Sequence, residues 1–244
     1  MRIVISSPPK TGNEWLKCLL STIYDLERIA GDQKAESRLK PSQIPAWIEA
    51  GGFKDGWIFH QHCRYSKRIV AAIAAAPAHS VTIIRDPYDQ FVSMYYWVQT
   101  LADEDVAANN VRRAKPRDVM IGKPLDDPAV IDFLATAYGR YLQNAINWVY
   151  SGKSVVFRYE ELHRDPVAAL TQGTDQIASI SLEKIKSAID TCSADNMRKL
   201  GPKMARHVRV ATVGDSKQRL NEVHLSIFRE RHQDLVRMLG YEVR

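Results

Sequence analysis

Two segments of the sequence carry residues that could bind an anion and move a proton. The first, Ser6-Ser7-Pro8-Pro9-Lys10-Thr11-Gly12, is a turn-forming run with one lysine and one glycine. The second, Phe59-His60-Gln61-His62-Cys63, contains two of the seven histidines of the chain. A glycine lets the backbone approach a bound anion closely, and histidine is the side chain that titrates nearest neutral pH. We therefore expect an anion site at the first segment and proton transfer at the second.

The elements around the first segment predict a phosphate-binding loop. Ile3-Val4-Ile5 is a short apolar run typical of a strand, and apolar residues recur at helical spacing from Trp15 to Tyr24. A loop between a strand and a helix offers backbone N–H groups to an anion, and the helix dipole adds to the attraction. The NTPase motif places its lysine after a second glycine, whereas Lys10 precedes the single glycine of this loop. The spacing therefore excludes an ordinary NTPase.

Further strand and helix patterns predict the fold class. Apolar runs at 80–84 and 154–159 are typical of buried strands, and helical patterns cover 67–76, 91–98, 129–150, 166–178, 182–200 and 221–239. Strands that alternate with helices predict a single α/β domain over residues 1–244, with a central parallel sheet flanked by helices. Residues 31–57 and 100–127 show no periodicity, and we expect them to be irregular.

The composition limits the classes of function. The 244 residues are 45% hydrophobic and 25% charged with a net charge of +6, which is typical of a globular protein. No apolar run approaches the roughly 20 residues of a membrane span, and no signal-peptide pattern is present. The three cysteines Cys18, Cys63 and Cys192 are far apart, so we expect no disulfide framework and a cytoplasmic location. No nucleic-acid-binding pattern is evident.

The first loop carries a family resemblance. Pro9-Lys10-Thr11-Gly12-Asn13-Glu14-Trp15-Leu16 resembles the P-K-[ST]-G-[TN]-T-W-L signature of sulfotransferases that use 3′-phosphoadenylyl sulfate (PAPS). In that family the loop holds the 5′-phosphosulfate, the lysine stabilises charge on the leaving phosphate oxygen, and the tryptophan contacts the adenine. The resemblance gives these roles to Lys10, Trp15 and the loop residues Thr11, Gly12 and Asn13. Glu14 replaces a hydroxyl residue, so its carboxylate must turn away from the phosphosulfate or be paired.

A second signature follows the strand at 80–84. Arg85-Asp86-Pro87-Tyr88-Asp89-Gln90-Phe91-Val92-Ser93 is similar to the family pattern R-[ND]-P-x-D-x-x-x-S, in which the arginine and the serine bind the 3′-phosphate of the donor. A guanidinium forks onto phosphate oxygens and a hydroxyl adds a further hydrogen bond. For Arg85 by itself, a surface ion pair with Asp86 or Asp89 would be the favoured interpretation. The spacing to Ser93 favours the phosphate site.

The third signature lies near the C-terminus. Arg209-Val210-Ala211-Thr212-Val213-Gly214-Asp215-Ser216-Lys217 resembles the family segment R-K-G-x-x-G-D-W-K, whose arginine and following amides also hold the 3′-phosphate. This implies phosphate contacts by Arg209, Val210 and Ala211, although the last two depart from the family residues. Residues 198–219 contain seven Lys or Arg and one Asp. Next to a phosphate signature, we interpret this charge run as part of an anion pocket.

Two weaker resemblances concern the adenine. Tyr159, after the strand at 154–159, matches a family tyrosine near the adenine, and it would equally suit the edge of a core. Cys192-Ser193-Ala194-Asp195-Asn196-Met197 faintly resembles T-S-F-x-x-M. Ala194 there replaces the stacking aromatic residue, which predicts a less enclosed adenine.

The catalytic base of the family is a histidine about twenty residues before the second-signature arginine. His62 occupies that place, 23 residues before Arg85, and His60 replaces the usual lysine. Two histidines at i and i+2 on a strand share a face, so a metal pair or a structural role stay as alternatives. We predict in-line sulfuryl transfer from PAPS with His62 as base, Lys10 on the leaving group, adenosine 3′,5′-bisphosphate as product and no metal.

Other functions and the acceptor stay open. A sulfotransferase-like protein that only binds a nucleotide or sulfated ligand is the main alternative, and a small-molecule kinase is a weaker one. The acceptor is expected to be a small molecule or a glycan, held by segments 31–57 and 100–127. The residues that could face it are the aromatic side chains Trp47, Phe53, Trp57, Tyr95, Tyr96 and Trp97 and the basic side chains Arg112, Arg113, Lys115 and Arg117.

Overall fold

A parallel sheet of five strands forms the centre of the fold, in the order β2-β3-β1-β4-β5. The computed structural model describes residues 1–28, 39–101 and 116–244. The strands are β1 (Ile3–Ile5), β2 (Glu27–Arg28), β3 (Trp57–His60), β4 (His79–Ile84) and β5 (Val155–Arg158). The α/β class with a parallel sheet is therefore confirmed.

Helices cover both faces of the sheet. They are α1 (Asn13–Tyr24), α2 (Ile44–Glu49), α3 (Lys67–Ala75), α4 (Pro87–Gln99), α5 (Pro116–Met120), α6 (Pro128–Asp132), α7 (Gly139–Tyr150), α8 (Tyr159–Arg164), α9 (Pro166–Asp175), α10 (Leu182–Thr191), α11 (Ala194–Lys199), α12 (Pro202–His207), α13 (Ser216–Arg219), α14 (Glu222–Ile227) and α15 (Gln233–Met238). A 3-10 turn at Pro41–Gln43 and π-helical turns at Phe133–Ala137 and Phe228–His232 connect some of them.

The alternation of side chains along β1 explains how the layers are held. Ile3 and Ile5 pack with α1 and α10 on one face, whereas Val4 packs with α2 and α3 on the other. All three side chains are fully buried. Because β1 is central and covered on both faces, its sequence is continuously apolar. Because the strands are parallel, the carboxyl ends of β1, β3, β4 and β5 lie at the same edge of the sheet.

The predicted elements differ from the observed ones mainly at their interruptions. The helical pattern at 182–200 is two helices, because Ser193 caps α11 by accepting a hydrogen bond from the N–H of Asn196 at 3.4 Å. The patterns at 129–150 and 221–239 are each broken by a π-helical turn. The segments expected to be irregular contain α2 and α5 in their described parts.

The expectation that the cysteines would not pair is wrong for two of them. Cys18 of α1 and Cys192 after α10 form a disulfide across a separation of 174 residues. Both are buried where Ile185 and Ala188 of α10 pack against α1. Cys63 is free and buried. Distance along the chain says nothing about distance in the fold, and only the packing of these two helices brings the sulfur atoms together.

Candidate active site

The loops at the carboxyl edge of the sheet surround a cavity of about 590 Å³. This is where open parallel sheets bind their ligands, because loops and helix N-termini converge there. Almost all the site residues predicted from the sequence line the cavity: Lys10, Gly12, Asn13, Glu14, Trp15, His62, Arg85, Ser93, Tyr159, Arg209, Val210 and Ala211. The exception is Thr11, whose side chain is buried beneath the first loop.

Hydrogen bonds between buried side chains and the backbone stabilise the first loop. The hydroxyl of Thr11 donates to the carbonyl of Pro8 at 3.0 Å, and Nδ2 of Asn13 donates to the same carbonyl at 2.8 Å. Oδ1 of Asn13 is buried without a hydrogen-bond partner among the described residues. Helix α1 begins here with no side-chain cap. Its first N–H groups are therefore available to an anion in the cavity.

The backbone of this loop takes a conformation that brings it close to the cavity wall. Lys10 and Gly12 have left-handed φ angles of 67° and 104°. A Cβ atom on Gly12 would lie 2.7 Å from the ring of Tyr159, so glycine is needed here for space as well as for conformation. Nε2 of Gln90 donates to the carbonyl of Pro9 at 2.8 Å and ties the loop to α4.

Lys10 lies among other cations. Burial, followed by the charges of Arg85 and Arg209, lowers the pKa of Lys10 to about 8, and Glu14 opposes this shift. Its Nζ lies 5.7 Å from the ring centroid of Trp97. Three cations from segments that are distant in sequence thus repel one another at the cavity. An anionic ligand would relieve that repulsion.

Glu14 faces the cavity with both carboxylate oxygens engaged. Oε2 lies 2.8 Å from Nζ of Lys17, and Oε1 lies 3.4 Å from Nδ1 of His60. Burial raises the pKa of Glu14, but the contacts with His60 and Lys17 outweigh it and hold the pKa well below its usual range. Of the two arrangements expected from the sequence, the structure has the paired one.

Arg85 reaches the cavity from the end of β4. Its guanidinium lies 4.3 Å from the ring centroid of Tyr159 and donates to the carbonyl of Thr212 at 2.9 Å. Nη2 is 3.9 Å from the carboxylate of Asp89, so the ion pair suggested by the sequence is also present. Nε is buried without a partner among the described residues. A buried N–H donor at a cavity wall suits a ligand with anionic oxygens.

Asp89 positions the third signature segment. Its carboxylate is almost fully buried and accepts the N–H of Gly214 at 2.6 Å and the N–H of Ser216 at 2.9 Å. Asp89 therefore joins α4 to a segment more than a hundred residues away in the sequence. The same contacts place Arg209 near Arg85 at the cavity.

The side chains of the third segment are less enclosed. Arg209 pairs with Asp215, and its guanidinium lies 4.4 Å from the ring centroid of Tyr96. Val210 is exposed, and Ala211 has a left-handed φ of 57° while its carbonyl contacts His163 at 3.0 Å. The donor-binding roles expected for these residues stay predictions.

His62 lies two residues beyond β3, on the cavity wall. Its Nδ1 is 2.8 Å from the carbonyl of Ser7, so Nδ1 carries the hydrogen and Nε2 keeps its lone pair. Loss of bulk hydration, the nearby His60 and Lys10 lower the pKa of His62 well below its ordinary value. The side chain is accessible from the cavity. The imidazole is neutral at pH 7 and can accept a proton.

One end of the cavity, next to Arg85, is aromatic and apolar. Trp15 and Tyr159 meet edge to face with ring centroids 5.8 Å apart. Ser193, Ala194 and Met197 also line this end. The small side chain of Ala194 leaves it more open than a stacking aromatic residue would.

Most residues expected to hold an acceptor lie elsewhere. Of the six aromatic candidates, only Trp97 lines the cavity. Trp47, Phe53 and Trp57 pack in the core around α2 and α3, and Tyr95 packs in the core around α4. The described parts of 31–57 and 100–127 contribute no lining residue. Arg112, Arg113 and Lys115 lie outside the described residues, as does the side chain of Arg117.

Sequence reasoning missed two residues that hold the loops in place. Gln90 donates to the carbonyl of Pro9, and Glu160 accepts the N–H of Asp86 at 2.8 Å and the hydroxyl of Tyr241 at 2.9 Å. The position of Gln90 inside the second signature could have indicated a role at the site. For Glu160 the sequence offers no indication beyond its adjacency to Tyr159.

The cavity brings the cations Lys10, Arg85 and Arg209 together with the imidazole of His62. The described residues contain no cluster of three or more His, Cys, Asp or Glu that would hold a metal ion. Within the described ranges, no helix is both long and apolar enough to cross a membrane.

Comparison with known proteins identifies relatives of the chain. The family model described as a sulfotransferase domain matches residues 1–240. The crystal structure of mouse sulfotransferase SULT7A1 complexed with PAP is 17% identical with a TM-score of 0.72, covering 99% of this chain and 89% of that one. Retinol dehydratase in complex with androsterone and inactive cofactor PAP is 12% identical with a TM-score of 0.61, covering 100% and 82%. No curated protein sequence matches significantly. At these identities the structural likeness shows the fold.

Proposed function

The chain belongs to the sulfotransferase-domain family and is a sulfotransferase, and we propose that it transfers the sulfuryl group of PAPS to a hydroxyl or amine acceptor. One observation carries the proposal. Lys10, Arg85 and Arg209 converge on one cavity that also contains the neutral His62. PAPS has a phosphosulfate at one end and a 3′-phosphate nearby, which matches cations in separate groups.

The phosphosulfate and the 3′-phosphate of the donor would contact different groups of residues in the cavity. Lys10 and the N–H groups at the start of α1 would hold the phosphosulfate, and Arg85, Ser93 and Arg209 the 3′-phosphate. The adenine would lie beside Trp15 and Tyr159 at the apolar end. The product that remains bound after transfer is adenosine 3′,5′-bisphosphate.

The reaction would be an in-line displacement at sulfur. Nε2 of His62 takes the proton of the acceptor while the acceptor oxygen bonds to sulfur. The bond between sulfur and the bridging phosphate oxygen breaks, and the ammonium of Lys10 stabilises the charge on that oxygen. The neutral state of His62 at pH 7 supports its role as base.

The acceptor is proposed to be a small molecule. One structural relative, retinol dehydratase, is described in a complex with androsterone and in another with retinol. In this chain Trp97 and His207, which stack at 6.2 Å, line the cavity beside Lys10 and would contact part of the acceptor. A glycan that enters by one sugar unit would use the same aromatic surface.

The test combines sulfate transfer with donor binding. Wild-type protein should transfer label from ³⁵S-PAPS to at least one member of an acceptor panel, and His62→Ala and Lys10→Ala should each lose at least about 100-fold in rate. His79→Ala at the start of β4 and the exposed Lys153→Ala are matched controls. Binding of adenosine 3′,5′-bisphosphate without transfer would favour a non-catalytic binder. Absence of both would reject the proposal.

A cytoplasmic location remains a proposal that the Cys18–Cys192 disulfide does not support. Disulfides persist mainly in oxidising compartments. Trapping thiols in intact cells would measure the oxidised fraction of this pair. A mostly reduced pair is expected for a cytoplasmic protein, and a mostly oxidised pair would contradict that location.

A further inference from the structure

Two departures from the family signatures meet in the structure. Glu14 stands where the donor loop usually has a hydroxyl residue, and His60 stands where the base segment usually has a lysine. Oε1 of Glu14 lies 3.4 Å from Nδ1 of His60. Nε2 of His60 in turn lies 3.4 Å from Nδ1 of His62, with the rings edge to face at 4.7 Å between centroids. The two unusual residues therefore form a chain that ends at the proposed base.

We infer that Glu14 and His60 are positioning residues for His62 during sulfuryl transfer: His60 orients the ring, and Glu14 stabilises its protonated form. The inference rests on the proposed function, because it assigns His62 the role of base. It also gives a reason for the carboxylate in the donor loop. Glu14 acts on the proton acceptor through His60, while Lys17 holds its second oxygen at 2.8 Å and balances its charge.

The directions of the hydrogen bonds follow from the chemistry of each partner. The Glu14 carboxylate only accepts, so His60 presents Nδ1–H to it and keeps a lone pair on Nε2. That lone pair and the carbonyl of Ser7 both face Nδ1–H of His62. Nε2 of His62 is thereby fixed as the basic nitrogen. The carbonyl of Ser7 also stabilises the imidazolium that forms at His62.

No proton needs to pass along this chain. The acceptor proton moves to Nε2 of His62, the acceptor oxygen bonds to sulfur, and the bond from sulfur to the phosphate oxygen breaks. His62 keeps its own Nδ1–H and becomes positively charged. The two contacts of 3.4 Å are long for hydrogen bonds, and catalytic hydrogen bonds commonly shorten when the reacting ligands are bound.

The charges that face His62 come from two elements besides its own segment. Lys10 of the first loop and His60 disfavour its protonated form, whereas Glu14 of α1 favours that form. Lys17 faces Glu14 rather than the ring. Removal of the Glu14 charge should therefore make His62 a weaker base. The acid limb of the pH–rate profile should move to lower pH, and the plateau rate should fall.

The experiment uses Glu14→Gln, His60→Gln and the double variant, with Glu49→Gln as a charge-matched control. Glu49 is an exposed residue of α2 that pairs with Arg68. Glu14→Gln should lower kcat about 3- to 10-fold and His60→Gln about 10-fold or more, with the Kd for adenosine 3′,5′-bisphosphate within about 2-fold of wild type. The double variant should lose no more than His60→Gln alone, because one chain of contacts carries both effects. Glu49→Gln should change neither quantity.

Histidine NMR gives a second readout that does not need turnover. The titration of His62 in the free protein should shift to lower pH in Glu14→Gln, and this shift should shrink when His60 is also Gln. Unchanged kcat and an unchanged His62 titration in both single variants would overturn the inference, as would losses that multiply in the double variant. Failure of wild-type transfer would instead count against the proposed function. The NMR titration would still test whether Glu14 and His60 act on His62.

Discussion

The two ends of the proposed donor site are built in different ways. The first loop, residues 6–12, continues the sheet, because the N–H of Ser6 donates to the carbonyl of Val81 and the hydroxyl of Ser7 accepts the N–H of Ile83. The third segment, residues 209–217, belongs to no strand. It is held mainly by the buried carboxylate of Asp89.

The difference indicates how each end should respond to change. The first loop is fixed by backbone geometry and close packing, so it should tolerate changes in charge better than changes in shape. The third segment is fixed by a few charged hydrogen bonds, so it should respond to the loss of a single carboxylate. The Kd for adenosine 3′,5′-bisphosphate in variants of the first loop and of the third segment measures this contrast.

Gly12→Ala should have the largest effect. The new Cβ would lie 2.7 Å from the ring of Tyr159, and the left-handed backbone would cost a further 1–2 kcal/mol or so. We expect Kd to rise about 100-fold, which corresponds to about 2.7 kcal/mol of binding free energy. Gly152→Ala is the control, because Gly152 has a φ of 61° with open space around it. Calorimetry that finds equal binding in both variants would contradict a shape-determined loop.

Asp89→Asn should have the next largest effect. The amide would keep one acceptor for the N–H groups of Gly214 and Ser216 and would turn a donor toward the other. An unpaired buried N–H costs about 1–3 kcal/mol, so we expect Kd to rise about 10- to 30-fold. The exposed Asp234→Asn should bind like wild type. A normal Kd for Asp89→Asn would mean that other contacts suffice to hold the third segment.

The pH dependence of binding should report on Lys10. Burial and the neighbouring Arg85 and Arg209 lower the pKa of Lys10 to about 8, so its positive charge is present below that pH and is lost above it. The phosphates of the ligand are already ionised above pH 7. We expect affinity to fall by up to about 10-fold from pH 7 to pH 9. Lys10→Arg should flatten this dependence, and a dependence that survives that substitution would exclude Lys10 as its source.

Arg209→Lys should have the smallest effect. Arg209 is already paired with Asp215 and stacked on Tyr96, and lysine keeps the charge while it loses the planar fork. We expect Kd to rise about 3-fold, with the exposed Arg237→Lys unchanged. A rise as large as that of Gly12→Ala would show that the third segment grips the ligand as rigidly as the first loop.

Much of the site could be predicted because its groups follow strands. Lys10, His62, Arg85 and Tyr159 each come directly after or close to the end of β1, β3, β4 or β5, and parallel strands bring those ends together. The helical interruptions were less predictable. Ser193 is a helix-capping residue and could have indicated the break within 182–200. The continuous apolar periodicity of that segment predicted a single helix instead.

The pairs across the fold could not be predicted from spacing. Asp89 reaches Gly214, Cys18 reaches Cys192, and Glu14 reaches His60 only because separate elements pack at set angles. The aromatic residues chosen for an acceptor site show the same limit. Trp47 and Phe53 have the composition of a binding surface, but the position of α2 buries them in the core.

The sequence by itself determined the order of strands and helices, the family resemblance and the set of charged residues that follow strand ends. Those features depend on local periodicity and on residue types at fixed spacing. Only the tertiary structure decided what Glu14 contacts, since a carboxylate at this position could face the donor or turn away from it. Its partner Lys17 lies one turn further along the same helix, and its partner His60 lies at the end of β3. A side chain's partner depends on the packing of whole elements, which no local pattern encodes.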